Sequence, residues 1–98
     1  MKQALSESSI QENLDILNQQ ADSHWELKDG KLSKEFVFGN FIEAFSWMTK
    51  VAIFAEKSDH HPEWFNVYNK VKVELQTHDA NGITELDFLL ANQMEASQ

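Results

Sequence analysis

A chain of 98 residues with 8 Lys and Arg against 16 Asp and Glu carries a formal charge of −8, and it contains no cysteine. That balance repels phosphate backbones, which draw most of their affinity from Lys and Arg, so direct nucleic-acid binding is not expected. Disulfides, thiolate metal sites and cysteine nucleophiles are excluded, and the longest apolar run, Val51 to Ala55, is far too short for a membrane span.

The opening MKQALSESS turns polar before any secretory apolar region forms, so the cytoplasm is the expected compartment. One proline, three glycines and no linker-like tract point to a single domain over residues 1–98. Ile10, Leu14 and Leu17 recur at helical spacing and predict a short amphipathic helix over Ser8 to Gln20, with Ser8 and Gln11 as a capping box. Trp25 to Leu27 and Leu32 to Phe38 flank Lys28-Asp29-Gly30-Lys31, whose Asp-Gly pair supplies the positive torsions of a tight hairpin turn.

Phe41 to Lys57 predict the central helix, with Phe41, Ala44, Phe45, Met48, Val51, Ala52 and Ala55 on one stripe. Trp47 and Phe54 widen the stripe to about half the circumference. Such a face fits either a deeply buried core helix or a core helix with a second flank at a subunit interface. Pro62 disfavours helical torsions at His61 and so supports a turn after Ser58-Asp59.

Trp64 to Tyr68 and Val71 to Thr77, joined by Asn69-Lys70, predict a second hairpin. Val71, Val73, Leu75 and Thr77 share one face, while Lys72, Glu74, Gln76 and His78 take the other. After the turn-rich Asp79 to Gly82, Thr84 caps a last helix that directs Leu86, Leu89, Leu90 and Met94 inward and carries Asp87 in its first turn. The expected fold is α+β, a four-stranded antiparallel sheet with three helices packed on one face.

His60, His61 and His78 fall at the ends of regular elements, outside any apolar stripe. Imidazole titrates close to neutrality, so such a group can donate and accept protons at physiological pH. Glu56 and Asp59 lie near the first two histidines and Asp79 beside the third, where a carboxylate can orient a ring and hold its tautomer. Trp64, directly after the turn, offers a flat surface to a planar heterocycle, whereas Phe65 reads as core packing.

Two other readings compete. His60-His61 can simply cap the central helix, where imidazolium complements the exposed carbonyls. A three-histidine zinc site is disfavoured, because adjacent residues of an extended segment diverge and no HExxH or cysteine pair is present.

The stretch Glu56-Lys57-Ser58-Asp59-His60-His61-Pro62-Glu63-Trp64-Phe65-Asn66-Val67-Tyr68-Asn69-Lys70-Val71 resembles the pterin-4a-carbinolamine dehydratases. The likeness continues through Leu75 to Asp79 and Gly82 to Asp87, and back through Phe45, Met48, Val51 and Ala52 to Trp25. It implies an enzyme that dehydrates 4a-hydroxytetrahydrobiopterin, the product left by aromatic amino-acid hydroxylases, to quinonoid dihydropterin without metal or organic cofactor. On that resemblance His60, His61 and His78 are catalytic, Asp59, Gln76, Thr77 and Asp79 contact the pterin, and Glu56 and Asp87 support the site.

Leu86 stands where an arginine is usual in that family, and Lys72 occupies a variable position often held by histidine. The resemblance also implies a homo-oligomer, dimer or tetramer, and a functional link to a hydroxylase. Some members partner a transcription factor, so a non-catalytic dimerisation module is the alternative.

Overall fold

The computed structural model describes residues 3–20 and 24–98. In chain order it forms α1 (Glu7–Gln20), β1 (Glu26–Lys28), β2 (Lys31–Val37), α2 (Phe41–Ser58), β3 (Glu63–Val67), β4 (Lys70–Leu75), a 3-10 turn (His78–Ala80) and α3 (Glu85–Ala96). The four strands make one antiparallel sheet in the order β1-β2-β4-β3. This is the expected α+β architecture.

The β1-β2 turn works as the Asp-Gly pair demands, with φ of 52° at Asp29 and 76° at Gly30. Leu32, Lys34 and Phe36 of β2 pair in register with Leu75, Val73 and Val71 of β4, and Trp64 of β3 pairs with Val73. Because directly paired residues point to the same side, this row forms the face that the helices cover. Phe36 is at its centre, its ring 4.5 Å from that of Trp47, 5.8 Å from Trp25 and 6.4 Å from Phe38.

Lys34 sits in the same buried row. Its ammonium pairs with Glu95 of α3 and stands 4.4 Å from the centre of the Phe36 ring. Trp25 Nε1 donates to the same Glu95 carboxylate at 2.8 Å. A buried lysine is tolerable only when paired in this way.

Several elements rotate or shift from the sequence expectation. α1 begins one residue earlier, and Ser6 Oγ, rather than Ser8, accepts the Ser9 N–H. Gln11 donates instead to Asp15, so the Ser8-Gln11 box is not made. In α2 the buried positions are Ala44, Trp47, Val51 and Ala55, while Phe41, Phe45 and Ala52 of the expected stripe are exposed. A helix apolar over half its circumference does not say which half faces inward. Here Trp47 decides it, burying its large ring and donating Nε1–H to the Met94 carbonyl at 3.0 Å.

In α3, Leu89 is exposed and Leu86 half-buried, and Phe88 and Ala91 join Leu90 and Met94 in the core. The phase is set by Asp87, which is fully buried beside the Thr84 cap. Phe65 also departs from expectation. Its neighbour Trp64 packs inward against Trp47, so the alternation of β3 leaves Phe65 on the open face, 68% exposed.

These burials predict that Phe36→Ala lowers the free energy of unfolding by about 3–5 kcal/mol, whereas Phe65→Ala changes it by no more than about 0.5 kcal/mol. Urea denaturation of the two variants measures both, and equal losses would contradict the assignment of faces.

Candidate active site

The candidate site forms where the C-terminal end of α2, the end of β4 and the start of α3 converge. α2 stops at Asp59, which takes a left-handed conformation (φ 50°, ψ 42°) and donates its N–H to the carbonyls of Ala55 and Glu56. His60 N–H also returns to the Ala55 carbonyl, at 3.1 Å. This reversal throws consecutive side chains to opposite sides: His60 is buried and His61 mostly exposed.

His60 turns inward to Asp87, its Nε2 lying 2.6 Å from Oδ1. Asp87 Oδ2 accepts the Thr77 hydroxyl at 2.8 Å and the Thr84 N–H at 2.9 Å. Thr84 Oγ1 lies 2.7 Å from Thr77 Oγ1 and accepts the Leu86 N–H. With Thr77 donating to the carboxylate, the Thr84 hydroxyl donates to Thr77, and every polar group of this buried chain is matched. The cap expected from Thr84 is therefore extended to a full capping box by Asp87, which also anchors a histidine.

His61 Nε2 lies 2.9 Å from Glu56 Oε1, one helical turn back. His78 opens the 3-10 turn, which the Thr77–Gly82 bridge closes and the left-handed Asn81 terminates. The carboxylate within ion-pair reach of His78 is Glu63, at 3.5 Å from Nε2, not the adjacent Asp79. Glu63 is itself paired through Oε1 with Lys31 Nζ at 2.7 Å. That hydrogen bond, opposed by desolvation and aided by the charges of Glu63, Glu74 and Asp29, holds the Lys31 ammonium above its ordinary pKa of 10.5. The Lys31 charge on which this pairing depends is accordingly present through neutral pH and is lost as pH rises through that raised value.

Asp59, His60, His61, Gln76, Thr77, His78, Asp79 and Leu86 line one open cleft of about 240 Å³. The two histidine segments, seventeen residues apart in sequence, thus meet at a shared space. Gln76 Nε2 reaches the Gly30 carbonyl at 3.3 Å, bringing the first hairpin's turn to the rim. Thr77 lines the floor, but its hydroxyl is engaged within the buried chain. Trp64 is not among the lining residues; its ring faces Trp47 at 6.0 Å. Pro62 supports the extended path from His61 into β3.

Glu63 lies in the stretch that carries the family resemblance but is not among the site residues expected from sequence. Its approach to His78 depends on the pairing of β3 with β4. Among the described residues, no group of three or more His, Asp or Glu side chains is arranged to hold a metal ion.

Fold and site together define a small α+β protein whose cleft is lined by three imidazoles, each facing its own carboxylate. Residues 3–97 match the family model described as pterin 4 alpha carbinolamine dehydratase. A relative from Rhizobium etli bearing the family's name is 63% identical over 73 residues, 72% of either chain. Another from Solibacter usitatus is 49% identical over 96 residues, covering 98% of this chain and 96% of its own. A crystal structure described as a transcriptional coactivator/pterin dehydratase from Brucella melitensis superimposes with a TM-score of 0.87 at 45% identity, over 96% of this chain and 97% of the other. The chain belongs to the pterin-4a-carbinolamine dehydratase family, and the enzyme class of that family is hydro-lyase.

Removing the buried carboxylate leaves His60, Thr77 and Thr84 short of a partner at once. Asp87→Ala is expected to cost at least about 3 kcal/mol of stability, read by urea denaturation. A loss under about 1 kcal/mol would mean that this network does not hold the three elements together.

Proposed function

We propose that the cleft dehydrates a 4a-hydroxytetrahydropterin, such as 4a-hydroxytetrahydrobiopterin, to quinonoid dihydropterin and water. Hydroxide is a poor leaving group. An acid must therefore protonate the C4a hydroxyl as the C4a–O bond breaks, while a base takes the N5 proton and the N5=C4a double bond forms. The sum is redox-neutral, so the reading calls for neither a metal nor an organic cofactor.

The observation that carries it is the meeting of His60, His61 and His78 around one cleft, each with Nε2 directed to a carboxylate. A carboxylate on Nε2 favours the tautomer with the proton there and leaves the Nδ1 lone pair to accept one. The resulting imidazolium is then stabilised by the same carboxylate and can return the proton as an acid. In this reading His60 and His78 handle the leaving hydroxyl and the N5 proton, and His61 positions the ring or shares the transfer.

Asp59, Gln76 and Asp79 present polar groups to the pterin edge from the cleft wall. Thr77, Glu56 and Asp87 act through the histidines, and Trp64 through packing against Trp47 in the core. The substrate would come from an aromatic amino-acid hydroxylase. The cytoplasm is the proposed compartment, and among the described residues no helix is long and apolar enough to cross a membrane.

Assembly into a dimer or tetramer is part of the proposal. Phe41, Ile42, Phe45 and Ile53 form an exposed apolar flank on α2. β1 pairs only with Lys31 to Ser33, because the Asn18 side chain binds both the N–H and the carbonyl of Trp25 and draws the chain off the sheet. Beyond Ser33, β2 therefore has no described partner on that side, and such an edge invites a second strand. Light scattering at micromolar concentration is expected to report a dimer or tetramer, and monomer alone would refute this.

The same flank, together with the word coactivator in the description of the Brucella melitensis structure, supports a second reading: a docking module whose cleft is idle. Turnover of the pure protein with the 4a-carbinolamine separates the two. Under the enzymatic reading His60→Ala, His61→Ala and His78→Ala each lower kcat, by about a hundredfold for the residues that transfer protons. Full activity in all three would defeat it, and absent turnover beside a tight protein complex would favour the module.

A further inference from the structure

His78 is the least restrained of the three histidines. Its side chain is 76% exposed, and no hydrogen bond to the ring fixes its rotamer. An imidazole free to rotate spends little time in the geometry that proton transfer needs. Its counterparts are held: His60 by the buried Asp87 and His61 by Glu56.

Glu63 supplies the missing restraint. One of its oxygens, Oε1, is engaged by Lys31 of β2, two strands away across the sheet. The other, Oε2, is shut off from solvent and has no hydrogen-bond partner. A carboxylate oxygen in that condition is costly, and the donor facing it, 3.5 Å away, is His78 Nε2. A modest rotation of the exposed ring closes that gap to a hydrogen bond.

We propose that Glu63 is the positioning residue of His78, holding its proton on Nε2 and presenting Nδ1 to the cleft, with Lys31 clamping the carboxylate in place. The inference rests on the reading of His78 as a proton-transfer group. The clamp is needed because Glu63 pairs in register with Glu74 across β3 and β4, and Asp59 and Asp79 line the same cleft. Without a cation in this acidic row, the carboxylate would be pushed toward solvent. Lys31 reaches it from the start of β2, so the first hairpin takes part in the site though it contributes no lining residue.

The test compares Glu63→Ala, Lys31→Met and His78→Ala in the full chain. The readouts are steady-state dehydration of the 4a-carbinolamine and the ¹⁵N signals of the His78 ring nitrogens without substrate. Glu63→Ala is expected to lower kcat about tenfold with KM changed less than about twofold, because the transfer group remains but its orientation is lost. Its His78 nitrogens should shift from the Nε2–H tautomer toward a mixture. Lys31→Met should move both readouts in the same direction by about threefold or less.

An unchanged His78 spectrum with unchanged kcat in Glu63→Ala, beside an inactive His78→Ala, overturns this inference and leaves the proposed function intact. Full activity in His78→Ala overturns the role of His78 itself, and the inference with it. Should Glu63→Ala fail to fold, Glu63→Gln keeps the shape and removes the charge, and it is read by the same criteria.

Discussion

One buried carboxylate organises this protein. Asp87 has no solvent exposure, and a charge in that position persists only if it is surrounded by donors. Its three donors come from the residue after the α2 cap, from Thr77 just beyond β4 and from the cap of α3. Satisfying the carboxylate therefore fixes the relative positions of three elements. It also sets the phase of α3, orients His60, and completes the helix cap that starts the last helix.

The cleft follows from two local reversals around that centre. A left-handed Asp59 lets α2 end abruptly, so that His60 turns inward and His61 outward. A 3-10 turn closed by the Thr77–Gly82 bridge lifts His78 to the rim from the other side. Neither reversal uses glycine at its left-handed residue, and aspartate and asparagine are among the few side chains that adopt this conformation readily. The acidic character of the chain thus serves local geometry as well as charge.

Around each imidazole the same device recurs with a different degree of burial. Asp87 is sealed, Glu63 is partly covered, and Glu56 is almost fully exposed. Screening by water weakens the exposed pair most and the sealed pair least. His60 is therefore the most firmly held, His61 keeps a hydrogen bond that water screens, and His78 has only the 3.5 Å approach to Glu63.

Much of this was legible in the residues themselves. The Asp-Gly turn, the end of α2 before Pro62, the alternation of β4 and the Thr84 cap are local, and each depends on torsions or spacing within a few residues. The histidine segments were legible for the same reason, since they interrupt the apolar periodicity. What the chain alone left open was every choice between near-equivalent faces. Trp47 rather than Phe45 went inward, Trp64 rather than Phe65 packed, Phe88 replaced Leu89, and Lys34 was buried against Glu95. Glu63, not Asp79, met His78. Such choices are settled by which side chains find partners across elements distant in sequence, and strand register and helix phase exist only once those elements have packed.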